Sequence, residues 1–154
     1  MKYFFFIALL LLGLNLFAQE NKTLWTAAWS HDDKYIAIGG DQEKLMLFDG
    51  QTFQLIKTYL IKETISRVKW HPTKNVLAVI TQSDSFKAKI LDVEKETWTS
   101  LEELQTSLRA LDWNHTGELL AVSEFEGEIS VYTADGKRVS RFLADPKSVT
   151  GIDW

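Results

Sequence analysis

Four tryptophans at near-constant spacing, Trp29, Trp70, Trp113 and Trp154, restrict this chain more than any other feature, with intervals of 41, 43 and 41 residues. Each closes a similar phrase: LWTAAW from Leu24, ISRVKW from Ile65, LRALDW from Leu108 and VTGIDW from Val149. A period of this length marks an array of small supersecondary units, each unable to bury its own apolar face and stable only when stacked on its neighbours. The units span about 24–63, 64–106 and 107–147, with an incomplete one at 148–154.

Within each unit the periodicity is that of strands. Five residues before each anchoring tryptophan stands Leu24, Ile65, Leu108 or Val149, and two before it Ala27, Val68, Leu111 or Ile152, with mostly polar or small residues between. That near-alternation predicts a strand buried mainly on one face. Polar turns follow at 30–34, 71–75 and 114–118; Pro72 presets φ, while Asp33, Asn75 and Gly117 tolerate left-handed backbone. Second strands are predicted over 35–38, 76–79 and 119–122, third strands over 45–49, 88–93 and 128–133, and fourth strands over 53–59, 97–101 and 137–142. Asp49-Gly50 and Asp135-Gly136 are turn signals into the fourth, and residues 102–107 are open to a helical turn. Alanine falls eight residues after each tryptophan, at Ala37, Ala78 and Ala121. A small side chain recurring at one place implies something bulky against it, and the tryptophan of a neighbouring unit is the candidate.

Four short antiparallel strands repeated every forty-odd residues is the pattern of a β-propeller. Apolar positions closing on tryptophan, a turn bearing proline or glycine, and a strand with a central alanine resemble the tryptophan-aspartate repeat (WD-repeat) family across residues 24–154. The resemblance implies an all-β propeller of four-stranded antiparallel blades, here three blades and the first strand of a fourth. It also implies recognition of a protein or peptide by loops at one end of the ring. The chain departs from the family where the closing dipeptide reads Phe48-Asp49, Leu91-Asp92 and Tyr132-Thr133. The Gly-His pair ahead of the first strand is missing too, with Ile61, Leu104 and Asp145 standing nine residues before the later tryptophans. The family's side-chain network cannot form in its usual way, so packing is expected to carry more of the stability. An acidic residue in the second-to-third-strand hairpin remains as Asp41, Asp84 and Glu126, and reads as turn chemistry.

Propellers carry about 4 to 8 blades, and seven at this period need roughly 290 residues, against 154 here. The expectation is the front part of a longer reading frame; the alternative is several chains associating through their open ends to complete one ring. Residues 1–18 read as a secretory signal peptide: Lys2, an apolar run over 3–14 (YFFFIALLLLGL) and a small residue, Ala18, at the cut. An uncleaved anchor is the alternative, but the run is shorter than the about 20 residues that span a bilayer. The mature chain then begins at Gln19, or one residue later if the leader ends at Gln19 because Leu16 is bulky for its place before the cut, has no membrane segment and is exported, periplasmic or extracellular. There is no cysteine, hence no disulfide and no thiolate metal site. The net charge is −4 with scattered lysines and arginines, which argues against a nucleic-acid partner.

His31, His71 and His115 fall just after anchoring tryptophans, and three histidines can make a zinc site. Equivalent turns of neighbouring blades lie well apart, so the histidines read as polar turn residues. His31-Asp32 beside serine invites a hydrolase reading, yet no nucleophile motif accompanies it. Gly39-Gly40 is not followed by helical periodicity, so it is no phosphate loop. Trp98 reads as packing between blades. No catalytic residue, cofactor or metal is assigned. Candidate partner contacts are loop residues on a rigid scaffold: Glu63, Asp84, Phe86, Phe125 and Lys147. Phe86 and Phe125 are aromatics on polar hairpins, either anchors for a partner or packed on the adjacent blade. The reading is a non-catalytic protein-interaction or scaffold module of the bacterial envelope or extracellular space. Its rivals are the N-terminal accessory propeller of a longer secreted enzyme, a peptidase or other hydrolase with catalysis beyond residue 154, and a purely structural role in oligomer assembly. Made in an exporting bacterial host, the chain is expected to have the intact mass of a product beginning at Gln19, or of its pyroglutamate form; a mass that includes residues 1–18 would show that the leader stays.

Overall fold

Alternation in the sequence becomes twelve short strands in the computed structural model, which describes residues 22–82 and 87–154. The leader-like residues 1–18, Asp84 and Phe86 lie outside the described residues. The first sheet holds β1 (Leu24–Trp29), β2 (Tyr35–Gly40), β3 (Lys44–Asp49) and β4 (Leu55–Leu60). The second holds β5 (Ile65–Trp70), β6 (Val76–Thr81), β7 (Ala88–Asp92) and β8 (Thr97–Ser100), and the third β9 (Leu108–Trp113), β10 (Leu119–Glu124), β11 (Glu128–Thr133) and β12 (Arg138–Leu143). Each sheet runs in chain order with every neighbouring pair antiparallel. These are three blades of an open propeller, with no helix among the described residues.

The turns explain where the predicted boundaries move. The Asp49 carboxylate accepts the N–H groups of Gln51 (2.9 Å) and Thr52 (2.7 Å), and Phe53 takes φ 57°, so the turn extends and β4 starts later than predicted. Residues 102–107 do not begin a helix: Glu102 and Glu103 form a turn, and Glu103 adopts φ 53°, outside helical space. Asp33 (φ 57°) and Gly117 (φ 74°) do adopt left-handed backbone, but Asn75 does not; its amide instead donates to Asp32 (3.2 Å) and Glu94 (3.3 Å).

Packing follows the two-residue period. In β6, buried along almost its whole length, Leu77 and Val79 enter a core with Ala37, Leu45 and Leu47 of the first blade. Ala78 and Ile80 point the other way, into a core with Leu108, Leu111, Leu120 and Val122 of the third. The middle blade is thus buried on both faces. Each fully buried aliphatic side chain contributes about 1.5–3 kcal/mol.

The anchoring tryptophans join blade to blade. The Trp70 indole donates to Ala28 O (2.9 Å) and the Trp113 indole to Lys69 O (3.2 Å), in each case the carbonyl just before the previous blade's tryptophan. Trp70 is 9% exposed and Trp113 5%, whereas Trp29, in the first blade of the described residues, is 48% exposed. Ala37 lies in the same core as Trp70 and Ala78 in the same core as Trp113, so each alanine and the next blade's tryptophan belong to one inter-blade interface. Strand β5 touches β1 and β9 touches β5, so the first strands converge on the propeller axis while the fourth strands lie at the rim. Trp98, at that rim, meets Tyr59 of the first blade edge-on at 5.7 Å.

Residues 149–154 stand where a fourth blade would begin but form no strand. Ser123 Oγ donates to Val149 O (2.9 Å), and Trp154 N donates to Asp112 Oδ2 (3.1 Å). A first strand is held by ladder bonds to a second, and among the described residues no second strand pairs with 149–154.

If the tryptophans are inter-blade clamps, their truncation should follow burial. Trp113→Ala is expected to cost about 3–5 kcal/mol, Trp113→Phe less, and Trp29→Ala least, read from urea-denaturation midpoints. Equal losses for Trp29→Ala and Trp113→Ala would contradict the clamp.

Candidate functional site

The first strand of every blade breaks register at one level. Leu24 pairs with Gly40 and Thr26 with Gly39; Ile65 pairs with Thr81 and Arg67 with Ile80; Leu108 pairs with Glu124 and Ala110 with Ser123. One residue is left over at each break: Trp25, Ser66 and Arg109. Such β-bulges turn a side chain out of the normal alternation. Here they turn three onto the axial mouth, where Trp25, Ser66 and Arg109 line a cavity of about 180 Å³ with Arg67, Gln82, Leu108 and Thr150. Thr150 precedes Trp154 by four residues, the same offset as the three bulged residues.

Hydrogen bonds fix this surface. The Trp25 indole donates to Asp41 Oδ1 (2.7 Å), which also accepts from Thr64 Oγ1 (3.4 Å), yet the ring stays 52% exposed. Asp41, read as turn chemistry, therefore ties the first strand to the entry of the next blade. Arg67 Nε donates to Arg109 O (3.1 Å), and the Arg109 guanidinium lies 4.4 Å from the centre of the Phe125 ring, itself 47% exposed. Among the described residues neither arginine is ion-paired. In a chain of net charge −4, the cavity lining thus carries two arginines and no acidic side chain.

Of the loop residues named from sequence, Phe125 joins this surface through Arg109. Glu63 accepts from Thr81 Oγ1 (2.8 Å), so it braces the loop ahead of β5. Lys147 is exposed in the loop after β12, with its backbone N–H on Asp145 Oδ1 (2.8 Å). All three lie at the end of the blades where first strands begin and second strands finish. Trp25, Arg67 and Arg109 were missed. For the bulged Trp25 and Arg109 the trace was the spacing of the apolar anchors, three residues and then two; strict alternation has only even steps, so an odd step calls for an extra residue.

The expectation that packing replaces the family's polar network holds only in part. In the third blade the fully buried Glu124 accepts the N–H groups of Gln105 and Thr106 (both 3.0 Å) and the Ser130 hydroxyl (3.2 Å). Arg141 lies beside it, Nε 3.8 Å from Glu124 Oε1, and pairs with Glu128. The Thr81–Glu63 bond is the second blade's counterpart, again joining the end of the second strand to the entry loop. Different residue types make the same tie, so the motif was not recognisable.

Ser30 and His71 brace their turns. The Ser30 hydroxyl donates to Asp32 Oδ1 (2.7 Å) and its oxygen accepts the Tyr35 N–H (2.9 Å). That bond to Ser30, with lesser ones to Asn75 and Lys34, holds the Asp32 carboxyl at about 2. His31 and His115 are exposed, while His71 is buried against Trp113 with ring centres 5.1 Å apart. No group of three or more metal-ligating side chains gathers among the described residues. A larger groove of about 520 Å³ runs along the rim between Thr58–Ile61 and Lys89 and Trp98. It gathers none of the bulged positions, so the smaller axial cavity is the better site.

A family model described as "Anaphase-promoting complex subunit 4 WD40 domain" matches residues 68–154. The "Probable cytosolic iron-sulfur protein assembly protein 1" of Kluyveromyces lactis is 27% identical over 131 residues, covering 68% of this chain and 38% of that protein. "Protein HIR1" of Cryptococcus neoformans is 34% identical over 106 residues, covering 62% and 12%. A subunit of eukaryotic translation initiation factor 3 from Culex quinquefasciatus is 29% identical over 99 residues, covering 61% and 14%. The chain thus spans less than half the length of each of these relatives. Among solved structures, the Myceliophteria thermophila Cps50 (Swd1) beta-propeller domain superposes with a TM-score of 0.73 at 13% identity, covering 84% of this chain and 45% of that one. The computationally designed Ika4 protein superposes with a TM-score of 0.74 at 14% identity, covering 87% and 81%. At such identities these two speak for the fold alone.

Burial of His71 has a measurable consequence. Desolvation, helped by the charge of Lys74 and opposed by a bond to the Gly117 backbone, lowers its pKa below the usual 6.5. Protonation would also remove the Nδ1 acceptor that holds the Thr73 N–H (3.1 Å). The folded state therefore resists a proton that the unfolded chain accepts, so stability is full above 6.5 and declines as the pH falls from there through the folded value. Thermal melts are expected to show this decline in the native chain and a flatter profile in His71→Gln. Parallel profiles would remove His71 as its source.

Proposed function

This chain belongs to the WD40-repeat family of β-propeller proteins, and from that membership we propose that it is a non-catalytic module holding a protein or peptide partner at its axial mouth. The observation that carries the reading is the repeated bulge, which delivers Trp25, Ser66 and Arg109 from three successive blades to one cavity. Exposed aromatic and arginine side chains on a rigid frame are the residue types that dominate binding energy at protein interfaces. Relatives named as an assembly protein and as a subunit of an initiation factor fit a role within assemblies. Of the residues that invited a hydrolase reading, Ser30 is engaged in its turn, its hydroxyl donating to Asp32 and its oxygen accepting the Tyr35 N–H. The setting we propose, outside the cytoplasm, rests on the leader-like residues 1–18 alone.

A photo-crosslinking side chain placed at Phe125 or at Thr116, which lies in the turns at the opposite end, tests the reading in the cells that make the protein. The expected result is a discrete protein adduct from position 125 and none from 116. Adducts from 116 alone, or equal adducts from both, would move the partner surface off the mouth.

A further inference from the structure

We infer that the mouth takes an acidic peptide segment, its carboxylate held between Arg67 and Arg109 and a neighbouring apolar side chain laid over Trp25 and Phe125. This rests on the axial mouth being the partner surface. The two arginines come from adjacent first strands, and the Arg67 side chain is tied to the neighbouring strand by the bond from its Nε to the Arg109 backbone carbonyl (3.1 Å). That bond uses the inner nitrogen of Arg67 and leaves its terminal nitrogens for a ligand. Arg109 is steadied over the Phe125 ring at 4.4 Å, the geometry of a cation–π contact. Both cations are thus partly ordered before any ligand arrives, which reduces the entropy lost on binding. Neither has an acidic partner among the described residues. A planar guanidinium matches a carboxylate through two parallel N–H···O bonds, so a carboxylate is the complementary group.

Size and surroundings select a peptide. The cavity of about 180 Å³ is smaller than the roughly 300–1,000 Å³ of small-molecule sites, and suits one side chain rather than a cofactor. Ser66, Gln82 and Thr150 line it with hydroxyl and amide groups that can bond to a peptide backbone. Trp25 and Phe125 offer apolar surface at little rotamer cost. A nucleic-acid strand could also use arginine and stacking aromatics, but its phosphates call for an extended basic track, and this chain's net charge is −4.

The test uses the whole chain with fluorescent synthetic peptides centred on Glu-Leu, Gln-Leu, Lys-Leu or phosphoserine-Leu, and an oligo-dT strand. Anisotropy titrations are expected to show Glu-Leu binding about tenfold more tightly than Gln-Leu, with Lys-Leu and oligo-dT weaker still. Arg67→Gln and Arg109→Gln should each abolish the Glu-over-Gln preference, while circular-dichroism melts confirm that the variants fold. Phosphoserine-Leu or oligo-dT binding more tightly than Glu-Leu would overturn the assignment, as would a preference that survives both arginine substitutions. Gln-Leu binding equally well, yet lost in Trp25→Ala, would overturn the acidic ligand while keeping the mouth as the partner surface. Binding of every peptide unchanged by Trp25→Ala and by both arginine variants would overturn both.

Discussion

Everything in this molecule depends on one repeated contact, the docking of an indole ring from one blade onto the first strand of the blade before it. Trp70 and Trp113 each combine a large apolar face with one N–H, and each N–H reaches a carbonyl next to the previous tryptophan. The ring drives burial, and the hydrogen bond sets the register between sheets that share no ladder. The alanine opposite keeps the space open: Ala37 and Ala78 are almost fully buried in the two cores that hold those tryptophans. A larger side chain there would force the blades apart.

This clamp brings the first strands together at the axis, and the bulge then gives the axis its chemistry. Side chains in regular alternation go to one blade interface or the other. A residue outside the alternation is free to face the mouth instead, and each blade supplies one at the same level, beside regularly paired neighbours such as Arg67. Trp25, Ser66 and Arg109 differ chemically while their backbone positions match. The scaffold thus fixes where a recognition residue stands and leaves its type free, which suits a fold that displays varied surfaces on a constant frame.

The ties between entry loops and second strands show the same separation of position from identity. Glu124 accepts bonds from the loop in the third blade, whereas Glu63 of the loop accepts from Thr81 in the second. Donor and acceptor have exchanged places across the same gap. A buried carboxylate without partners would be costly, so the bonds from Gln105, Thr106 and Ser130 are what allow Glu124 to be fully buried.

Periodicity along the chain was enough to determine the unit, its length, its four strands and the tryptophan–alanine pairing. A repeat presents one solution three times, so errors in one copy are corrected by the others. The fourth strands drifted because the Asp49 turn depends on carboxylate bonds and a positive φ at Phe53, neither of which composition reveals. Phe125 was legible as an aromatic on a polar hairpin; its stacking under Arg109 was not. The site itself was decided in three dimensions, because Trp25, Arg67 and Arg109 stand in three successive repeats and meet only when the first strands converge. A bulge is a fact of register between two strands, and register exists only once the strands are paired.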